Sequence, residues 1–341
     1  MESSQYDILI IGGGILGLST AMQLLERAPE WRVAVVEKED QLATHQTGHN
    51  SGVMHSGIYY RPGSHKAKFC VAGLNNMVKF CEENEIEFQQ CGKVIVATHE
   101  SELGRLQDLH DRGTANGVPD LEVVGPERLK EIEPHTVGVK ALWAPHTGIV
   151  DFTKVATAFA EKFQQVGGDI FTGATVRNII KTTGSVALET TKGSLQAKHL
   201  INCAGLHADK IASMTDEKVG VRIIPFRGEY YTLRPESHHL VSGLIYPVPN
   251  PEFPFLGVHF TRNIKGHVEA GPNAVMALQR EGYRKRDFNL GDSLGNLGYP
   301  GFWKMAAKYW KIGMGEIWPV SYTHLRAHET EADLVCRLLL E

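Results

Sequence analysis

The sequence predicts an α/β protein in two interleaved parts, one on a parallel sheet and one an α+β part on a mainly antiparallel sheet. Three observations carry this. First, an apolar run at residues 6–11 ends in glycines and is followed by a helix-like stretch, then by a second apolar run at 32–37 (RVAVVE). Strand, helix and strand within about thirty residues make a βαβ unit, whose strands are buried on both faces. Second, apolar residues alternate from 221 to 275 between turn signals at Arg227-Gly228, 247–254 and Gly271-Pro272, the pattern of antiparallel strands. Third, the 341 residues exceed one typical domain of roughly 100–200.

In chain order, residues 6–11 form the first strand. Ala, Met, Gln, Leu and Glu fill the helix Ile15–Arg27, and 32–37 closes the unit. The segment 44–63 is rich in Gly, His, Ser and Thr and lacks a period; loops this long are usually functional. A helix follows over 66–84, a strand over 93–98 (KVIVAT) and a charged amphipathic helix over Leu103–Ala115. Prolines and glycines punctuate 119–145. Asp151 caps a helix running to 166. Strands follow at Asp169–Phe171, 175–180, Ser185–Thr190 and 199–202, the last leading into Cys203-Ala204-Gly205 and a helix at 208–214. No repeat or low-complexity linker separates the parts, so we expect them to alternate along the chain: 1–80 with 150–218, and 81–149 with 219–318.

Composition excludes several classes. Thirty-five Lys and Arg against 39 Asp and Glu give a net charge of −4 without blocks of like charge, which excludes a nucleic-acid partner and an acidic disordered tail. Cys70, Cys81, Cys91, Cys203 and Cys336 are odd in number and contain no C-x-x-C, so they read as reduced thiols of a cytosolic protein. The uncharged stretch 8–25 is preceded by Glu2 and Asp7 and interrupted by Gly12, Gly13, Gly14 and Gly17, unlike a signal peptide. A cytoplasmic location is expected.

Gly12-x-Gly14-x-x-Gly17 lies between strand and helix, with Glu37 twenty residues beyond Gly17. In that context Gly12 allows a tight turn, Gly14 lets the backbone approach a pyrophosphate, and Gly17 lets helix and strand pack closely. The helix N-terminus offers N–H groups to the anion, and Glu37 can accept ribose hydroxyls. This is a Rossmann-like dinucleotide site, and the acid disfavours a 2′-phosphate, leaving FAD or NAD.

Residues 6–17 (YDILIIGGGILG) resemble the opening of FAD-dependent oxidoreductases with the D-amino-acid-oxidase or glycine-oxidase fold. The resemblance implies FAD contacts at Ala204 and Gly205 and a backbone contact to the adenine at Val176. The loop 45–57 (HQTGHNSGVMHSG) resembles the flavin-facing loop of L-2-hydroxyglutarate dehydrogenases and oxidases; so do PFRGEY (225–230), PFLGVH (254–259), GPNA (271–274) and REGYRKRDF (280–288). The matches span about 5–318. They imply oxidation of L-2-hydroxyglutarate, a 2-hydroxy dicarboxylate, to 2-oxoglutarate by FAD, with electrons passing to a membrane quinone or to oxygen. The candidate cofactor residues are then Gly12, Gly14, Gly17, Glu37, Lys38, Thr47, Asn50, Ser51, Gly52, Val176, Ala204 and Gly205.

Such a reaction removes a hydride from Cα and a proton from the hydroxyl, and an imidazole suits the proton. His259 is the preferred base, with His55 near the flavin ring; the opposite assignment, or a structural role for either, stays open. A dicarboxylate calls for cations, preferably Arg. Arg227 and Arg262 are the candidates, although odd spacing in a strand puts Arg262 on the opposite face from His259. Tyr60, Lys66 and Tyr230 are weaker ones. The alternatives are a flavin amine or glycerol-phosphate oxidoreductase of the same fold, a non-catalytic dinucleotide-binding protein and, more distantly, a serine hydrolase.

Two further motifs are set aside. His45 and His49 have the spacing of a helical metal site, but glycines spoil the helix and no acid or cysteine stands nearby in sequence, so no metal is expected. The pattern Gly291-Asp292-Ser293-Leu294-Gly295 matches a nucleophile elbow but lacks its preceding buried strand, and reads as a surface loop or helix entry. A helix over 302–312 (FWKMAAKYWKI) gathers Lys304, Lys308 and Lys311 on one stripe; it packs on its own domain or, as the alternative, lies on the inner face of a membrane. Residues 319–341 lack family character and resemble translated adapter sequence. The expectation is a foreign tail on a chain cut short, which would hold FAD weakly because a strand and a glycine-rich helix beside the flavin are replaced.

Overall fold

The computed structural model describes residues 5–215, 219–249 and 257–326. Two compact units emerge, each from separate segments: Met1–Asn50, Phe152–Pro225 and Ala277–Phe302 form one, and Ser51–Asp151, Phe226–Met276 and Trp303–Glu341 the other. The segments of the two units alternate along the chain, and their bounds differ from those read from the sequence. Residues 51–80 join the second unit, where Val53–Met54 pairs with Gly148–Val150. Residues 277–302 join the first, anchored by Arg280, whose guanidinium is buried against Asp209.

The first unit is built on a six-stranded sheet, in the order Val176–Thr182, Ser185–Thr190, Gly193–Asn202, Gln5–Ile11, Val33–Val36 and Asp169–Phe171. The last four run parallel, and the first two add an antiparallel flap, so the sheet is mixed and mostly parallel. All of Val33–Val36 is buried, as expected of a strand covered on both faces. Helix Ile15–Arg27 buries Gly17, Leu18, Ala21, Met22 and Leu25, an i, i+4 stripe. It packs against Phe152–Gln165, which buries Val155, Ala156, Phe159, Ala160 and Phe163. The strand expected at 199–202 begins at Gly193: its first half pairs antiparallel with Ser185–Thr190, its second half parallel with Gln5–Ile11.

The second unit holds a seven-stranded, mainly antiparallel sheet: Phe226–Thr232, Val268–Met276, His259–Arg262, Leu244–Pro247, Lys93–Ala97, Lys140–Ala144 and Glu122–Val124. One pairing, Leu244–Pro247 with Lys93–Ala97, is parallel. Lys93–Ala97 is buried along its whole length: Ile95 and Ala97 pack in a cluster with Tyr246, Leu142, Ile149 and Leu106, and Val94 and Val96 in another with Leu129, Ala141 and Phe260. Residues 221–225 form no strand; pairing starts at Phe226. The 119–145 region contains the helix Pro126–Ile132, with proline at its first position, and two strands of this sheet.

Helix Pro300–Arg326 continues the expected 302–312 element. Lys308 and Lys311 lie 4.9 and 5.8 Å from the Tyr309 and Trp310 rings, while Trp303 and Trp310 are exposed. Among the described residues no helix is long and apolar enough to cross a membrane. Of the supposed foreign tail, 327–341 lies outside the described residues, as do Pro254, Phe255 and Leu256 of the PFLGVH match and Cys336.

Candidate active site

In the first unit the glycine motif opens a cavity of about 470 Å³. Gly12 (φ 114°) sits where only glycine is unstrained, and a Cβ there would meet the Cys203 carbonyl oxygen at 2.3 Å. A Cβ on Gly17 would lie 1.9 Å from the Gly12 oxygen, so helix and strand touch through this hydrogen. Gly12, Gly14, Glu37, Lys38, Thr47, Asn50, Val176, Ala204 and Gly205 all line the cavity. Gly17 lies behind it, and Ser51 and Gly52 belong to the second unit, where Gly52 accepts a bond from Val150 N–H at 2.9 Å. The Thr47 hydroxyl accepts from Ile15 N–H (3.0 Å), holding the 44–50 loop onto the helix N-terminus.

Glu37 is almost fully buried and does more than face a ribose. Its Oε2 accepts from Gly13 N–H at 2.6 Å and its Oε1 from Glu39 N–H at 2.9 Å, tying the second strand to the glycine turn. Beside it lies a charge network that the sequence did not reveal. Lys38 reaches Glu281 (2.8 Å) and Glu39, and His45 and His207 both approach Glu281, at 3.2 and 3.0 Å. Burial alone would raise the Glu281 pKa, but hydrogen bonds from His207 and Lys38 bring it down to about 2. His45 thus has acids beside it after all, and its ring nitrogen, Glu39 and Glu281 could together face a cation. The Lys38 ammonium already fills that role, 3.0 Å from His45 Nε2.

The second unit gathers the two histidines. His259 is 4% exposed, its ring stacked on Tyr246 at 3.9 Å, and Nδ1–H donates to the Gly257 carbonyl at 2.9 Å. That bond leaves the lone pair on Nε2. Burial, only partly opposed by the Gly257 bond, lowers its pKa to about 4, with Lys93 adding to the drop. His55 is lowered to about 3, by burial first and then by Lys93 and His259. Both imidazoles are therefore neutral at pH 7.

The proposed carboxylate binders are less concentrated. Arg227 is paired with Glu229, through Nε at 2.8 Å and Nη2 at 2.6 Å. Arg262 shares the strand face of Phe260 and acts on Glu133, away from the His259 face as its spacing predicts. Lys66 is exposed on helix His65–Glu83. Tyr60 lies beside Cys70, and burial pushes the Tyr230 phenol up to about 12. Sequence reasoning passed over Lys93, 1% exposed at the head of a wholly buried strand. The signal was present: a lysine beginning an otherwise apolar run. Ser293 of the elbow-like motif lies within helix Leu290–Leu297, its hydroxyl donating to the Leu278 carbonyl.

The family model described as FAD dependent oxidoreductase matches residues 7–314. L-2-hydroxyglutarate dehydrogenase from Indibacter alkaliphilus is 51% identical over 313 residues, covering 92% of this chain and 78% of that protein. The chain belongs to the L-2-hydroxyglutarate dehydrogenase family of FAD-dependent oxidoreductases. Across this family the mitochondrial human enzyme is 43% identical over 333 residues, covering 94% of this chain and 72% of that one. The fold matches dithionite-reduced L-α-glycerophosphate oxidase from Mycoplasma pneumoniae, solved with FAD bound, at a TM-score of 0.74 and 26% identity, covering 84% of this chain and 76% of that one. Glycine oxidase from Geobacillus kaustophilus shares the fold at a TM-score of 0.68 and 20% identity, covering 84% and 75%.

Proposed function

We propose that this protein oxidises L-2-hydroxyglutarate to 2-oxoglutarate, with FAD held by the first unit and substrate by the second. The identity of 43–51% to proteins named for that activity carries the reading. The glycine cradle fits a dinucleotide: side chains at Gly12 or Gly17 would collide with backbone, and Glu37 lines the cavity with its carboxylate held in place. Gly12, Gly14 and the helix N-terminus would receive the pyrophosphate, Glu37 the ribose, and Val176, Ala204 and Gly205 the remaining contacts, with Lys38, Thr47 and Asn50 as further cofactor residues of the same unit.

Bound FAD supplies the acceptor for the hydride that leaves Cα. The chain's own part is the proton and the orientation. Nε2 of His259 takes the hydroxyl proton, and the Nδ1–H bond to Gly257 holds the ring in the required tautomer. An imidazole whose pKa lies near 4 is fully in its basic form at neutral pH but is a weak base, so proton removal must accompany loss of the hydride. His55 is the second candidate for this step. Tyr60 and Tyr230 would donate to substrate oxygens; Arg227, Arg262 and Lys66 would contribute charge from farther away.

The test is turnover: FAD-supplemented protein with an artificial electron acceptor should reduce the acceptor and release 2-oxoglutarate when given L-2-hydroxyglutarate, and should leave the acceptor oxidised with glycerol 3-phosphate or glycine. Reoxidation by a quinone or by oxygen is distinguished by whether hydrogen peroxide accumulates.

A further inference from the structure

Lys93 is a lysine in a place that should not hold one. It is 1% exposed, in a core strand whose other members are Val94, Ile95, Val96 and Ala97. Among the described residues Nζ meets no carboxylate and no hydrogen-bond acceptor. It lies instead 4.7 Å from the Tyr59 ring centroid and 5.2 Å from that of Tyr246. Two aromatic faces offset only part of an ammonium's lost hydration, and buried ions are otherwise paired. The same Tyr246 ring stacks on His259, and the charge of Lys93 reaches both His259 and His55. Cys70 also faces it, from helix His65–Glu83, its thiol donating to the His55 carbonyl at 3.2 Å. The cluster therefore holds one cation, two neutral imidazoles, two phenols and a thiol, and lacks an anion.

We propose that Lys93 is the cation that receives a carboxylate of the substrate beside His55 and His259. This rests on the 2-hydroxy-acid oxidation inferred above and names the residue behind its acid specificity. Arg227 already has Glu229, and Arg262 lies on the strand face opposite His259, so neither presents its charge to the histidines. Pairing also has a consequence for the base. Burial is the main cause of the low imidazole pKa values, and a carboxylate on Nζ offsets the smaller part that the Lys93 charge adds, so the base strengthens somewhat when substrate arrives.

Burial lowers the Lys93 pKa to about 8, so the ammonium is present below that pH and lost above it. Cys70, Tyr59 and Tyr246 are all pushed up by burial and His55 and His259 down, so none of the other facing groups titrates near 8. Carboxylate affinity should fall as pH rises through this window.

The experiment is calorimetric titration of the FAD-saturated full chain with 2-oxoglutarate, in wild type, Lys93→Met and Lys93→Arg. Lys93→Met should weaken binding roughly 10- to 100-fold, the loss of a charged hydrogen bond. Its thermal midpoint should not fall, because a buried unpaired ammonium is removed. Lys93→Arg should bind at pH 7 and lose the weakening above pH 8. Affinity within twofold of wild type in Lys93→Met overturns the assignment; if that variant fails to fold, an alkaline limb unchanged in Lys93→Arg does so. Wild type that neither binds 2-oxoglutarate nor has its flavin reduced by L-2-hydroxyglutarate refutes the underlying reaction instead.

Discussion

Replacing Glu37 by alanine removes more than a ribose contact. The carboxylate accepts two backbone N–H bonds, from Gly13 at 2.6 Å and Glu39 at 2.9 Å, in a site 8% exposed. Hydrogen bonds to charged groups are worth about 1.5–3 kcal/mol each, and water can recover part of the bond at half-buried Glu39, so the loss of stability should be about 3 kcal/mol. A further loss of about 1.5–3 kcal/mol in FAD affinity, roughly 10- to 100-fold, is expected from the ribose. Glu37→Gln keeps one acceptor oxygen and should fall between. Urea unfolding of the FAD-free protein isolates the first effect, and fluorescence titration with FAD the second. An alanine variant with an unchanged unfolding midpoint would refute the tethering role, and unchanged FAD affinity would refute the ribose contact.

Gly17→Ala puts a methyl 1.9 Å from the Gly12 oxygen, so it should abolish FAD binding and lower the thermal midpoint; normal cofactor content in the purified variant contradicts the close approach. His259→Gln should slow flavin reduction by roughly 10²–10⁴-fold while FAD stays bound, and a wild-type rate would transfer the base role to His55. Wild-type kcat/KM, which reports the free enzyme, should hold down to about pH 4 in its acid limb, following the His259 pKa, and a limb near 6.5 would show an unperturbed imidazole. His259 and His55 have folded pKa values near 4 and 3, below the unfolded 6.5, so the unfolded chain binds more protons as pH falls. Stability is full above 6.5 and declines from there toward 3, by up to about 1.4 kcal/mol per unit for each histidine; a flat urea midpoint between pH 6.5 and 5 would contradict this.

What could be read from the chain followed from local chemistry. Gly12, Gly14, Gly17 and Glu37 were legible because a pyrophosphate-binding turn imposes its residues at fixed spacing, and Ile15–Arg27 because its apolar stripe has a helical period. The first half of Gly193–Asn202 was missed because a single leucine among Gly, Ser and Gln (GSLQ) gives no apolar alternation, and its pairing is chiefly with a neighbouring hairpin strand. Strands Glu122–Val124 and Lys140–Ala144 were hidden among prolines and glycines. The Lys38–Glu281 and Arg280–Asp209 pairs join residues far apart in sequence, which no periodicity reveals. Lys93 was passed over although a lysine heading an apolar run was there to be read, since only packing of the strand shows that its ammonium is buried.

The central claim is that this chain directs hydride from a 2-hydroxy dicarboxylate to FAD. It is tested most directly by anaerobic titration of the FAD-saturated protein while the visible flavin band is recorded. Stoichiometric L-2-hydroxyglutarate should bleach the band, with 2-oxoglutarate formed in equal amount, and glycine and glycerol 3-phosphate should leave it intact. A band that survives L-2-hydroxyglutarate, or that glycine or glycerol 3-phosphate bleaches equally well, would contradict the account.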